Sequence, residues 1–284
     1  MADLRPLLDF QNYRSCDYTL SPLYMWRDHY GQSYAFHGDT LIVRYTFDDG
    51  GFAYSVPVGP GSFEDALRAI GDEAREKGER LRFCCVPEEE LGRLTEVFGR
   101  PSEIAESRDY ADYLYPYENF LGYHGKKLVT QRNHCNRFLR DNPDYEYKPL
   151  TPELTGEAKG FLMAHAEHFK KGLPVVEADF RGTLELLDHM HLFGFTGGLL
   201  YAGGRPVGMT IGEIQRDTLY VHVEKALSDV SGVYPMLASL YAKQNASPEL
   251  KFINREDDAG DEGLRHSKLA YRPCALLKKY VVTF

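Results

Sequence analysis

The chain lacks the features that would place it in a membrane or outside the cell. Its 284 residues include no apolar run that approaches the roughly 20 residues needed for a membrane-spanning helix. The N-terminal sequence MADLRPLLDF does not show the basic-then-apolar order of a secretion signal. We therefore expect no membrane-spanning segment and a cytoplasmic location.

Cysteine is scarce, and its spacing excludes two common roles. The five cysteines form no CxxC pair, which argues against both a disulfide framework and a zinc cluster. His165, His168, His189 and His191 fall in predicted helices without a nearby cysteine or a carboxylate at ligand spacing. We expect no metal site.

Several catalytic motifs are also missing. The sequence contains no Walker motif, no GxSxG, no HExxH and no GxGxxG, which argues against the nucleotide-binding and hydrolase classes that those motifs define. The formal net charge of -9 argues against nucleic-acid binding by the whole surface. A local basic patch remains compatible with this balance.

The order of predicted elements indicates an α+β fold. After residue 151 the patterns predict two helices, a three-strand meander, a helix, a strand, a helix and a strand. This order fits the GNAT architecture of acyl-CoA N-acyltransferases, and the first half shows a looser version of it. We predict two GNAT-like mixed-sheet domains in tandem, at residues 1–124 and 151–284, joined by a basic helix and linker at 125–150.

The loop SDVSGVY, which precedes Pro235, bears on the acyl donor. Acetyl-CoA users of the GNAT class hold the pyrophosphate here with backbone N–H groups of a glycine-rich turn. This loop retains only Gly232, and Pro235 removes one N–H donor. Coenzyme A is therefore disfavoured as the donor, although the loss of one motif does not exclude it.

Two charged segments form a candidate site. Strand 218–226 places His222 and Glu224 on its polar face, which is either a solvated surface or the wall of a substrate cleft. If 251–257 is a strand, Asn254 and Glu256 share one face, and the opposite face carries the two charged neighbours Arg255 and Asp257.

The basic groups near the C-terminus suggest an anion site. Arg265 and Lys268 lie three residues apart on the predicted helix DEGLRHSKLAY and can converge with Arg255, which leaves Glu256 and Asp257 to receive an ammonium. The alternative interpretation is a structural ion-pair network that links the strand to the helix.

The segment 125–150 begins with a run of basic residues that no acid balances before Asp141. Such a helix is either a solvated face or a site for phosphate, of RNA or of a lipid headgroup. The candidate phosphate-binding or RNA-binding residues are Lys126, Lys127, Arg132, Arg137 and Arg140.

Three blocks carry a family resemblance: SCDYTLSPLYMW, GKKLVTQRNHCNRFLRDNPDY and INREDDAGDEGLRHSKLAYRP. With these blocks the chain resembles the phosphatidylglycerol lysyltransferase C-terminal domain family, in its short, soluble bacterial branch. The resemblance implies a tandem GNAT fold related to the Fem-type enzymes, which transfer amino acids from aminoacyl-tRNA. It leaves the donor and the acceptor of this chain open.

The resemblance suggests roles for the candidate residues. Transfer from an ester to an amine needs orientation, a base and donors for an oxyanion. Glu224 or Glu256 is the candidate base, and Tyr271 is the candidate proton donor. The expected partners are a small-molecule amine or amino acid, with aminoacyl-tRNA as a candidate co-substrate. An acyl-CoA-dependent N-acetyltransferase and a noncatalytic small-molecule-binding protein are the alternatives.

Overall fold

The computed structural model describes residues 2–47, 49–167 and 173–284, which form two compact units. The first unit contains Met1–Asp112, Asp257–Gly260 and Leu276–Phe284, and the second contains Tyr113–Glu256 and Asp261–Ala275. This division differs from the boundaries predicted from the sequence, because 113–124 belongs to the second unit and 276–284 to the first.

The helices and strands follow the chain in an interleaved order. The helices are α1 (Arg5–Leu8), α2 (Leu20–Met25), α3 (Phe63–Lys77), α4 (Leu91–Phe98), α5 (Val129–Asp141), α6 (Thr155–Ala166), α7 (Pro174–His189), α8 (Val233–Gln244) and α9 (Glu262–Ala270). The strands of the first sheet are β1 (Ser33–His37), β2 (Thr40–Thr46), β3 (Phe52–Tyr54), β4 (Arg82–Pro87), β5 (Glu103–Glu106) and β13 (Lys279–Thr283). Those of the second are β6 (Asp112–Pro116), β7 (Glu146–Pro149), β8 (Thr196–Ala202), β9 (Arg205–Gln215), β10 (Thr218–Ala226), β11 (Phe252–Asn254) and β12 (Ala275–Leu277).

Both sheets are mixed. The first has the order β1-β2-β3-β4-β13-β5, with one parallel pair, β3 and β4, among antiparallel neighbours. The second has the order β12-β6-β11-β10-β9-β8-β7. In this sheet β10 and β11 are parallel. The pairs β6 with β11, β7 with β8, β8 with β9 and β9 with β10 are antiparallel. The carboxyl ends of β10 and β11 therefore point to the same edge of the sheet, where ligands of open sheets commonly bind.

Local sequence signals account for both ends of α3, for the start of α9 and for the end of α5. Ser62 caps α3 by accepting a hydrogen bond from the Asp65 amide at 3.2 Å, and Gly78 ends the helix in the left-handed conformation. Asp261 caps α9 in the same way through the Leu264 amide at 2.7 Å. The basic segment forms a short 3-10 turn and then α5, which ends at Asp141, shortly before Pro143.

The predicted strand at 251–257 is wrong in its length. The strand ends at Asn254, because the Asn254 side-chain oxygen accepts the Glu256 amide at 2.6 Å and Glu256 adopts a φ of 54°. This is the geometry of an Asx turn, which competes with the sheet ladder. The two-residue alternation therefore stops before Arg255. The predicted last strand also divides in two, since β12 joins the second sheet and β13 the first.

Helix α5 packs closely against α8. Phe138 of α5 is fully buried in a core that includes Leu200, Val233 and Leu237, with Cys135 against its edge. Gly232, which precedes α8, has a φ of +77°, and a β-carbon there would lie 2.1 Å from the carbonyl oxygen of His134. Only glycine fits this position, because α5 covers the N-terminal end of α8.

Among the helices of residues 2–47, 49–167 and 173–284, none is both long and apolar enough to cross a membrane.

We expect Gly232→Ala to lower the thermal unfolding midpoint more than Gly203→Ala. Both glycines have positive φ, so each alanine incurs about 1–2 kcal/mol of backbone strain. A methyl at Gly203 meets no described atom within 4 Å, whereas one at Gly232 must displace the α5 backbone. Circular dichroism melts of both variants measure the difference, and equal shifts would contradict the close packing of α5 on α8.

Candidate active site

A buried ion pair lies at the carboxyl ends of β10 and β11. The Nη2 atom of Arg255 donates to Oε1 of Glu224 at 2.5 Å, and each side chain is only 10% exposed. Burial alone would lower the pKa of Arg255, but the Glu224 carboxylate keeps it above its usual range. Arg255 is therefore a fixed cation and Glu224 its direct counterion.

Aromatic rings surround the guanidinium. Its central carbon lies 4.5 Å from the centroid of the Tyr271 ring and 5.7 Å from that of Phe120. These two rings are parallel, with centroids 5.5 Å apart, while Tyr115 and Tyr123 pack against both. Cation–π contact with ring faces stabilises the desolvated guanidinium. We call Phe120, Tyr115, Tyr123 and Tyr271 the aromatic cage.

Each member of the ion pair retains one unused polar atom. Nη1 of Arg255 and Oε2 of Glu224 are buried and have no hydrogen-bond partner among the described residues. Buried polar atoms are nearly always satisfied by protein or by ordered water, and an unsatisfied one costs about 1–3 kcal/mol. The ion pair therefore has one buried donor and one buried acceptor that a ligand or an ordered water with the complementary group can complete.

A second charged group lies beside this pair. His222 Nδ1 lies 2.7 Å from Oε1 of Glu256, and its Nε2 lies 3.0 Å from Oε1 of Glu213. His222 and Glu213 are fully buried, whereas the Glu256 side chain is 25% exposed. Burial would lower the pKa of His222, but the hydrogen bonds to Glu213 and Glu256 raise it to about 9. At neutral pH the His222 imidazolium therefore binds the buried Glu213 on one side and the partly exposed Glu256 on the other.

Glu213 was missed by sequence reasoning. It faces Tyr220 across the antiparallel pair of β9 and β10, and a bulge at 221–223 turns the strand where His222 lies. The available signal was its sequence: Glu213 is the one acid in the otherwise apolar run PVGMTIGEI. A buried carboxylate in such a run requires a partner of opposite charge.

The structure brings some of the predicted residues together and separates others. Lys268 is buried and donates from Nζ to the carbonyl oxygen of Arg255 at 2.6 Å, which for this residue favours a structural link between β11 and α9. Arg265 lies half-buried on α9, and Asn254 forms the turn described above. Asp257 belongs to the first unit, where its Oδ2 lies 3.8 Å from Nζ of Lys279.

The basic residues occupy the outer side of α5 and the turn before it. Lys126, Lys127, Arg137 and Arg140 are exposed, whereas Arg132 donates to the carbonyl oxygens of Tyr123 and Gly125. Through the first of these hydrogen bonds α5 contacts the backbone of Tyr123, a member of the cage. The basic surface and the cage therefore share one helix.

One group of metal-type ligands is found in the first unit. Ligand atoms of Cys16, Asp17 and Asp112 lie within 4.8 Å of one another. The Lys279 ammonium lies 2.7 Å from both carboxylates, so a cation of the chain itself already serves them. Of the four histidines considered for a metal, His168 lies outside the described residues.

Solved structures share this fold over nearly the whole chain. A conserved protein of unknown function from Bacteroides thetaiotaomicron is 30% identical, with a TM-score of 0.92 over 100% of this chain and 97% of that one. L-PGS from Bacillus licheniformis is 15% identical, with a TM-score of 0.65 over 93% and 91%. FemX is 10% identical, with a TM-score of 0.63 over 100% and 96%. The predicted α+β class with two mixed sheets is confirmed.

Residues 9–283 match the family described as phosphatidylglycerol lysyltransferase, C-terminal. Because the match spans nearly the whole chain, the protein belongs to this family, and the predicted resemblance is confirmed. No curated protein matches the chain significantly.

We expect the imidazole of His222 to titrate near pH 9 and Glu213→Gln to lower that midpoint, because one of the two charged hydrogen bonds is lost. The folded pKa exceeds the ordinary value of about 6.5, so the imidazolium adds stability that is fully present below that pH and is lost as the pH rises through about 9. NMR titration of the ring resonances measures both midpoints.

The matched control for this titration is Glu249→Gln, which changes an exposed carboxylate of the same unit and should leave His222 unaffected. A wild-type midpoint at or below 6.5 would contradict the two-carboxylate clamp.

Proposed function

We propose that the protein is an aminoacyltransferase that moves an amino acid from an aminoacyl-tRNA-type ester to an amine or hydroxyl acceptor. Family membership supports aminoacyl transfer in general. The observation that carries the proposal for this chain is the buried Arg255–Glu224 pair, which keeps one unused donor and one unused acceptor and whose guanidinium is covered by the aromatic cage.

The unused atoms match the polar groups of an aminoacyl ester. Such an ester has lost its free carboxylate but keeps an α-ammonium next to a carbonyl oxygen. Oε2 of Glu224 can accept a hydrogen bond from the ammonium, while Nη1 of Arg255 donates to the carbonyl oxygen. As the acceptor attacks, this oxygen becomes an oxyanion, and a fixed guanidinium in a dry site stabilises it more than the neutral ester.

The proton transfers fall to two further residues. The greater exposure of Glu256 supports assigning it the role of base, with His222 holding Oε1 and leaving the other carboxylate oxygen toward the acceptor. Burial raises the pKa of Tyr271, although the Arg255 guanidinium opposes this, so the phenol stays protonated. It can therefore donate a proton to the leaving hydroxyl of the donor.

The basic surface supports a donor that carries RNA. Lys126, Lys127, Arg137 and Arg140 present four cationic side chains on a protein of net charge -9. A local cluster of this kind binds backbone phosphates and releases their counterions. Because α5 contacts the cage at Tyr123, a tRNA acceptor end bound along the helix would have its ester close to Arg255.

The packing of α5 supports the exclusion of coenzyme A. In a GNAT that uses acetyl-CoA, the N-terminal end of the helix equivalent to α8 must be open to pyrophosphate. Here the Gly232 backbone is pressed against the His134 carbonyl, and Pro235 lacks an N–H group. A carbonyl oxygen at this point repels phosphate as well as blocking it.

The test is the discharge of total tRNA charged with labelled amino acids, in the presence of free amino acids and polyamines as acceptors. We expect Arg255→Lys and Glu224→Gln to reduce the transfer rate by about 10²-fold or more, as for the removal of one oxyanion donor. Both substitutions keep most of the side-chain volume, because truncation of a buried pair costs about 3–5 kcal/mol of stability.

The controls separate the two parts of the site. Neutralising the exposed basic residues Lys126, Lys127, Arg137 and Arg140 should weaken tRNA binding and flatten its salt dependence. Neutralising Arg68, Arg75, Lys77 and Arg80, which are exposed in the first unit, should not. Binding of amino acids without any transfer would indicate a noncatalytic binding protein, and transfer from acetyl-CoA would contradict the proposal.

A further inference from the structure

The first unit buries a lysine and a cysteine side by side. Nζ of Lys279 lies 3.4 Å from Sγ of Cys16, and both residues are less than a tenth exposed. The ammonium also lies 2.7 Å from Oδ2 of Asp17 and 2.7 Å from Oδ1 of Asp112. The proposed transferase chemistry uses none of these four groups.

The fold holds this pair in place from both sides. Cys16 opens a 3-10 turn, and its backbone amide donates to Oδ2 of Asp112 at 2.7 Å. Lys279 begins β13 and pairs in register with Pro87 of β4. Neither side chain can move away without breaking a buried hydrogen bond, so thiol and ammonium stay in contact.

Asp112 offers one oxygen to both reactive groups. Its Oδ1 accepts from the Cys16 thiol at 3.4 Å and from the Lys279 ammonium at 2.7 Å. Burial would lower the pKa of Lys279, but the carboxylates of Asp112 and Asp17 hold it well above its usual range. In the reduced protein the lysine is therefore a charged partner of both acids, and the shared carboxylate is the group that can take a proton from either neighbour.

We propose that Cys16 and Lys279 form an oxidation-dependent covalent cross-link in which one oxygen atom joins Sγ to Nζ. The oxidant is molecular oxygen. The thiol, the ammonium and one dioxygen molecule give the S–O–N bridge, one water and one released proton. The S–H bond and two N–H bonds break, one S–O and one O–N bond form, and the four electrons taken from sulfur and nitrogen reduce both oxygen atoms.

The geometry favours the bridge over other oxidation products. An inserted oxygen spans more of the 3.4 Å gap than a direct S–N bond would, so the strands need to move less. Oxidation of a buried thiol to a sulfinic acid would place a new anion beside Asp17 and Asp112, which is costly in a dry site. The bridge adds no anion, and the proton that it releases can be accepted by the carboxylates that lose the lysine cation.

The cross-link would join residues 263 positions apart in the chain. Closing so long a loop restricts the unfolded chain, as a disulfide does. The oxidised protein should therefore unfold at a higher temperature than the reduced protein, through a restraint confined to the first unit.

The test compares full-length protein purified without oxygen before and after exposure to air-saturated buffer. Intact mass spectrometry should show the gain of one oxygen atom with the loss of two hydrogens, reversed by a thiol reductant. Isotopically heavy dioxygen should label the bridge. Peptide mapping should find the Cys16 and Lys279 peptides joined.

Variants keep this test decisive. Cys16→Ser and Lys279→Arg are similar in size and charge to the native residues, and both should abolish the mass change and the rise in unfolding temperature. Cys274→Ser, which alters an exposed cysteine, should leave both intact. The proposal is overturned by a lack of cross-link in air, by a loss of two hydrogens without added oxygen, or by a cross-link that persists in Cys16→Ser.

Discussion

The buried pair of Arg255 and Glu224 is the interaction on which the candidate site depends. Desolvating two charges costs several kcal/mol per ion, and their attraction repays this only when the remaining polar atoms are satisfied. In this protein Nη1 of Arg255 and Oε2 of Glu224 have no hydrogen-bond partner among the described residues. A pair of apolar residues would therefore stabilise this position at least as well. A ligand with a complementary acceptor and donor would complete the pair, as the proposed function requires.

The surroundings of the pair follow from this constraint. The parallel arrangement of β10 and β11 places Glu224 and Arg255 at one edge of the sheet. The Asx turn at Asn254 ends β11, and Arg255 directly after it donates to Glu224. Tyr271, which follows α9, and Phe120 then cover the guanidinium with ring faces. His222, which Glu213 holds in its charged form, binds the accessible carboxylate of Glu256. The two strands and the aromatic rings thus fix the position of the Arg255 guanidinium.

The sequence predicted more of the fold than of the site. Helical periodicity and turn signals were enough for the element order, because they depend on local contacts. These signals could not show that β12 and β13 pair with different sheets, because the segment ALLKKYVVTF reads as a single strand. His222, Glu224, Arg255 and Glu256 were proposed from the sequence because charged residues are conspicuous in predicted strands. Glu213 was missed because its contact with His222 depends on the register of β9 and β10 and on the bulge between Val221 and Val223. Asp257 was grouped with neighbours that belong to the other unit.

The most direct measurement is a crystal structure with an aminoacyl-adenosine analogue in which an amide replaces the labile ester. The account predicts that the α-ammonium lies within hydrogen-bond distance of Oε2 of Glu224, with the carbonyl oxygen at Nη1 of Arg255 and the adenosine toward α5. An aminoacyl group bound elsewhere, with the Arg255–Glu224 pair unchanged and still unsatisfied, would contradict the account.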